Sequence, residues 1–166
     1  MNKRLEVIRY LEGLNIPFKL YEHPPVPTVE EALPYWNEID ATHCKNLFFR
    51  NHKGNRHYLV ILDHRRKLNI RDLEQKLKQG KISFASHKRM ERYLGLGAGS
   101  VSAFGIINDN DNHVHLFIDK ALQSSTHISF HPNENNATLV ISFASFLRFL
   151  ESSGNSYEFI TLYEDE

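Results

Sequence analysis

Apolar residues recur at Leu5, Ile8, Leu11 and Leu14, a spacing that predicts a helix over residues 2–14, stopped by Gly13 and Asn15. A short strand is expected over 16–21. His23-Pro24-Pro25-Val26-Pro27 must be extended, because proline fixes its own φ and restricts its predecessor. Thr28-Val29-Glu30-Glu31 has the form of a capping box, so a short helix should follow and end before Pro34. Two apolar runs, 45–50 and 57–62, flank the turn Asn51-His52-Lys53-Gly54-Asn55 and predict a hairpin. Ile70, Leu73 and Leu77 predict a helix over 69–79 closed by Gly80, and Ser86 can cap another running to about Leu94. A glycine loop, Gly95 to Ser100, comes next. Strands are expected at 101–107, 114–119, 128–130 and 138–142, then a helix over 145–152 stopped by Gly154 and a weak strand over 157–163. Helices and strands are mixed without regular β-α-β alternation. The expected fold class is therefore α/β in the α+β sense: a curved, mixed, largely antiparallel sheet flanked by helices.

Composition sharpens this picture. The 166 residues, 41% hydrophobic, suit one domain over 1–166 with its own core. No apolar run reaches 18 residues, and charged residues interrupt the N-terminal segment, so neither a membrane span nor a secretory leader is expected. The single cysteine, Cys44, cannot form an internal disulfide, and a cytoplasmic setting is expected. Twenty basic and twenty acidic residues cancel, which argues against a generic polyanion binder. The charges are nevertheless unevenly placed. Residues 63–92 hold ten basic and four acidic side chains, a net +6, whereas residues 151–166 hold five acids and neither Lys nor Arg. This is either a solvated helical face with an acidic tail or a patch that meets phosphates.

Several segments could carry chemistry. Gly95, Gly97 and Gly99 suggest a phosphate cradle, but no Gly-Lys-Ser/Thr follows and the loop succeeds a helix, so no nucleotide cofactor is expected. A tight connection, or a backbone wall close to a small ligand, fits better. The ten histidines form no metal-ligand spacing, and no metal is expected. Cys44 beside His43 could suggest a nucleophile, yet adjacent strand residues face opposite ways; if Lys45 faces a pocket, Cys44 should face away as a structural residue. Lys45-Asn46 stands out. An ammonium entering the apolar run Leu47-Phe48-Phe49 requires water, an acid or an anion, unless it lies on an edge strand.

The ordered set His23-Pro24-Pro25-Val26, Thr28 to Ala32, Lys45-Asn46-Leu47-Phe48-Phe49-Arg50, Leu68 to Leu73, Ile82-Ser83-Phe84-Ala85-Ser86, Leu94 to Ser102, Asn108-Asp109 and His131-Pro132-Asn133 with Thr138 resembles a known family. It is the YbaK/ProX superfamily of aminoacyl-tRNA editing domains, and within it the free-standing prolyl-tRNA editing proteins of the ProXp-ala or PrdX type. The resemblance runs from about Leu5 to about Gly154. It departs where Ala98 and Ala103 stand, positions at which members usually carry proline.

The resemblance implies trans-editing hydrolysis of mischarged Ala-tRNA-Pro, protecting translational fidelity. Such a second site is needed because a pocket discriminates a methylene by only about 1–3 kcal/mol. It implies Lys45 as the essential lysine, with Asn46, Gly97, Gly99, Ser100, His131 and Thr28 around the aminoacyl end. The basic residues Arg65, Arg66, Lys67, Lys88 and Arg89 would meet the acceptor stem of tRNA-Pro. Prolyl-tRNA synthetase is a further expected partner. Cys-tRNA-Pro deacylation, a non-catalytic tRNA-binding module and a thiol enzyme using Cys44 remain as alternatives.

Overall fold

The computed structural model describes residues 2–163; Glu164, Asp165 and Glu166 of the acidic tail lie outside them. The elements run α1 (Lys3–Gly13), β1 (Lys19–Glu22), α2 (Val29–Trp36), β2 (Thr42–Asn51), β3 (His57–Asp63), α3 (Ile70–Leu77), β4 (Ile82–Phe84), α4 (His87–Leu94), β5 (Val114–Asp119), β6 (His127–Phe130), β7 (Ala137–Ser142), α5 (Phe143–Ser153) and β8 (Tyr157–Ile160). Two 3₁₀ turns, Ala103–Asn108 and Lys120–Ser124, complete the chain. The strands order as β1-β7-β6-β2-β3-β5-β8, with β4 attached to β2 off this path. β1–β7, β2–β3, β2–β4 and β6–β7 are antiparallel, whereas β2–β6, β3–β5 and β5–β8 are parallel. The expected mixed sheet is thus present.

Strand alternation sorts the side chains into two layers. Cys44 and Phe48 of β2 join Leu59 and Ile61 of β3 in the larger core, which is covered by Val7 and Leu11 of α1, Leu94 of α4, and Phe146 and Phe149 of α5. Phe49 of β2 and Val60 and Leu62 of β3 face the other way, onto Leu73 and Leu77 of α3. A third cluster seats Ala32 and Trp36 of α2 on Val140 of β7.

Local capping places the helices. Thr28 Oγ1 accepts from Glu31 N, Asn69 Oδ1 from Arg71 and Asp72, and Ser86 Oγ from Arg89 N. Gly95 ends α4 in the left-handed conformation at φ 67°.

Four expectations need correction. The buried stripe of α1 is Val7 and Leu11, whereas Leu5 is 39% exposed. Helix α2 continues through Pro34 to Trp36. Proline removes only the donation to Glu30's carbonyl, and burial of Trp36 offsets that loss. Residues 101–107 form no strand. Ser102 Oγ accepts from Phe104 N and donates to His131 O, which starts a 3₁₀ turn, and Ala103 to Ile106 are all buried. Such a continuous apolar run has no period that separates strand from helix. Finally, α5 starts at Phe143 rather than at Ser145, because Ser142 caps it.

The 3₁₀ turn packs its backbone tightly against the end of α4. A Cβ on Gly105 would lie 2.8 Å from Leu96 Cδ1 and 3.1 Å from Leu94 Cβ. Gly105→Ala should therefore destabilise the protein by about 1–3 kcal/mol in urea titration.

A half-buried polar chain lies on the same side of the sheet. The Arg89 guanidinium donates to His57 Nε2 (3.0 Å), so His57 must donate from Nδ1 to His113 Nε2 (2.9 Å) and be neutral. Burial, then the charges of His113 and Arg89, hold its pKa down at about 4. An unfolded histidine titrates near 6.5, so between pH 6.5 and about 4 the unfolded chain binds the extra proton. Stability is expected to fall as pH drops through this window. Urea midpoints across it should slope less steeply in His57→Gln.

Candidate functional site

One strand does not pair completely. β2 pairs with β3 from Cys44 to Arg50 along one edge. Along the other, β6 pairs only Thr42 and His43, and β4 only Phe49 to Asn51. Ala85 N donates to Phe48 O, and His64 N on the opposite side donates to His43 O. Backbone directions alternate along a strand, so the N–H and C=O of Asn46 point out of the open edge. A cavity of about 280 Å³ occupies this opening. Cys44 to Phe48 form its floor. Pro27, Thr28, Val29 and Trp36 wall one side; Met90, Ala98, Gly99 and Val101 wall the other. Phe130, His131 and Phe84 complete the lining. The cavity therefore reaches side chains on both faces of β2.

Lys45 enters from the face that carries α2 and α3. Its ammonium donates to the carbonyl of Arg66, just after β3. Burial lowers its pKa, while the carboxylates of Asp63 and Glu30 act in the opposite direction. Asn46 Oδ1 is buried without a hydrogen-bond partner among the described residues. A buried acceptor left unmatched costs about 1–3 kcal/mol. His131 Nδ1 lies 2.9 Å from Ala137 O and must carry the proton there. Its Nε2 is then an acceptor, and burial lowers the pKa further below 6.5, keeping the ring neutral at pH 7.

The wall formed by α2 is held by a relay. Trp36 Nε1 donates to Thr138 Oγ1 (3.1 Å), whose hydroxyl is 2.9 Å from His23 Nε2. Trp36 also stacks on His43, with centroids 4.7 Å apart and planes 6° apart. His43 Nε2 lies 3.2 Å from the carbonyls of both Trp36 and Ile39 and closes the end of the helix. The opposite wall approaches as bare backbone. Gly99 has φ 83°, and a Cβ on it would lie 3.1 Å from Pro27 Cβ and 3.3 Å from Pro27 O.

Of the residues anticipated from sequence, Lys45, Asn46, Thr28, Gly99 and His131 come together at this cavity. Gly97 and Ser100 are not in its lining; they close the loop through Ser100 N donating to Gly97 O. Arg65 pairs with Asp63 at 2.7 Å. The Arg66 guanidinium lies over the Tyr163 ring, and Lys67 O accepts from Tyr163 Oη. Lys88 and Arg89 lie on α4, where Arg89 also donates to Gly54 O. Trp36, Phe84, Met90 and Phe130 line the cavity without having been singled out. Phe84 stands in one of the segments that carry the resemblance, and the other three had only apolarity as a signal, which the core shares.

Comparison with known proteins gives a consistent picture. Residues 23–149 match the model of the aminoacyl-tRNA editing domain. The chain is 38% identical over 166 residues to the prolyl-tRNA editing protein ProX of Acetoanaerobium sticklandii, covering 98% of this chain and 99% of that one. It is 33% identical over 156 residues to prolyl-tRNA synthetase associated domain-containing protein 1 of Mus musculus, covering 92% of each. A solved structure of a candidate trans-editing enzyme for prolyl tRNA synthetase superposes with a TM-score of 0.72 at 18% identity, covering 97% of this chain and 98% of that one.

Cys44 packs into the larger core on the face opposite Lys45, as expected of a structural residue, although the open edge lets both residues border the cavity. Its side chain is nonetheless buried, and burial, aided by the Asp63 carboxylate, pushes the thiol pKa far up. The thiolate is the reactive form. Native protein should therefore resist iodoacetamide at pH 8, with Cys44 labelled only in denaturant, as read by intact mass.

Proposed function

The chain belongs to the aminoacyl-tRNA editing domain family, and from that premise we propose that it is a deacylase hydrolysing Ala-tRNA-Pro in trans. The carrying observation is the opening in β2, which groups an ammonium, an unmatched amide oxygen and a neutral imidazole acceptor around a small cavity. An aminoacyl ester is already activated, so positioning and electrostatics can do most of the work.

In this reading the alanyl group enters the cavity beside the contact between Gly99 and Pro27. Its ammonium donates to Asn46 Oδ1 and the Asn46 carbonyl. His131 Nε2 accepts from the ammonium or from the attacking water. The water adds to the ester carbonyl, the bond to the ribose oxygen breaks, and that oxygen takes the proton. The neighbouring ribose hydroxyl assists by carrying the proton between them. Lys45 anchors the terminal ribose or its phosphate and offsets the developing negative charge. Burial makes this lysine worth more than a surface one, because water screens it less. Cognate proline is excluded by cavity size.

Arg65, Arg66 and Lys67 extend from the Arg66 carbonyl that Lys45 touches, a route along which acceptor-stem phosphates could run. Relatives named for prolyl-tRNA editing, or for association with prolyl-tRNA synthetase, support tRNA-Pro as the partner and that synthetase as the source of mischarged substrate. No helix among the described residues is long and apolar enough to cross a membrane.

The test is a deacylation panel with Ala-, Cys-, Ser- and Pro-tRNA-Pro. Ala-tRNA-Pro should be hydrolysed fastest and Pro-tRNA-Pro spared. Lys45→Ala should lower kcat/KM by about 10²-fold. A preference for Cys-tRNA-Pro would reassign the substrate. Binding of charged tRNA without turnover on any substrate would make the chain a binding module.

A further inference from the structure

Phe84 is placed where the rest of the fold would not put it. It is 54% exposed, the most open of the large apolar side chains among the described residues. Strand β4 carries it, and its backbone is paired directly opposite Phe49. The two rings stack with centroids 4.6 Å apart and planes 25° apart. Phe49 is wholly buried, so it fixes one face of the Phe84 ring and leaves the other to solvent. The ring also borders the proposed catalytic cavity. Lys45 and Phe49 are four residues apart on β2, about 13 Å along the strand, with Leu47 between them on the same face. A nucleoside laid along that face reaches from one to the other.

The surrounding charge points to the same class of ligand. Phe84 lies inside the net +6 segment, with Lys81 and Lys88 close in sequence, while Arg89 is engaged with Gly54 and His57. A rigid aromatic face set in positive charge is the usual physical means of holding an unpaired nucleobase. Each base stacked in this way contributes about 1–3 kcal/mol, with little preference among bases. An aromatic ring exposed on an edge strand is otherwise a liability for association.

We infer that Phe84 is the stacking platform for the terminal adenine of the tRNA, opposite the end of the cavity that takes the amino acid. The assignment rests on the deacylase reading and deepens it. Lys45 and Phe84 then grip the terminal nucleoside at its two ends, sugar-phosphate and base. The aminoacyl ester is turned through the opening of β2 toward Asn46 and His131. Phe84 is a positioning residue and touches no reacting atom.

Two probes separate this role from a structural one. The first is tRNA-Pro carrying a non-hydrolysable 3′-alanylamide on its terminal adenosine. The second is the same tRNA with that adenine removed to leave an abasic ribose. Phe84→Ala and Phe84→Leu should each weaken binding of the first probe by about tenfold. Neither should weaken binding of the abasic probe, and Phe84→Trp should bind the first probe like wild type. Phe84→Leu keeps an apolar cover over Phe49, which guards against misfolding. On hydrolysable Ala-tRNA-Pro the loss should fall mainly on KM. Equal losses on both probes, wild-type affinity in Phe84→Ala, or no binding of either probe by wild type would overturn the assignment. Failure of the deacylase reading looks different: the coupling between Phe84 and adenine persists while no charged tRNA is turned over.

Discussion

The molecule is organised around a strand that is only half matched on one side. β2 belongs to two partial sheets, and its edge passes from β6 to β4 with an unpaired interval between them. Backbone donors and acceptors in a protein interior are nearly always satisfied, so an interval of this kind persists only where water or a ligand can enter. The surrounding elements accept that requirement. The histidine, tryptophan and threonine relay holds α2 across one side of the opening, and the loop after α4 closes the other. The cavity is consequently a break in the hydrogen-bond ladder rather than a groove between helices.

This origin explains the mixture of groups found there. An intact strand would show one face to any given pocket. Here Lys45 and Leu47 from one face meet Cys44, Asn46 and Phe48 from the other. A charged anchor, an uncompensated amide oxygen and an apolar floor are therefore all supplied by five consecutive residues. Electrostatics follow the same division. The ammonium is partly desolvated and tied to a main-chain carbonyl, whereas the arginines that follow β3 stay near the surface.

Much of the scaffold was legible in local sequence, because caps and turns are local devices. Thr28, Asn69, Ser86 and Gly95 act as their residue types suggest. Pro34 misled because its penalty is local while the anchor that overcomes it, Trp36 on His43, is not. Residues 101–107 misled because Ser102 finds its partner, His131 O, 29 positions away. Lys45 and Asn46 were visible as polar intruders in an apolar strand. Phe84 was not, since an aromatic residue in a short apolar run reads as core until the end of the sheet is located. The same holds for β4 itself, three residues long and defined only by its pairing with β2.

The close approach of Gly99 to Pro27 has a consequence for how the chain can diverge. Bare Gly99 meets the ring Cβ and main chain of Pro27 there, and Asn135 ties the two loops further, donating from Nδ2 to Gly99 O while its own carbonyl accepts from Val26 N. The aperture is thus set by the spacing of two loops rather than by the bulk of any one side chain. Point substitutions can block such an aperture but have little left to trim from it. Widening it calls for changed loop lengths, so relatives with a roomier cavity are expected to differ here by insertions and deletions.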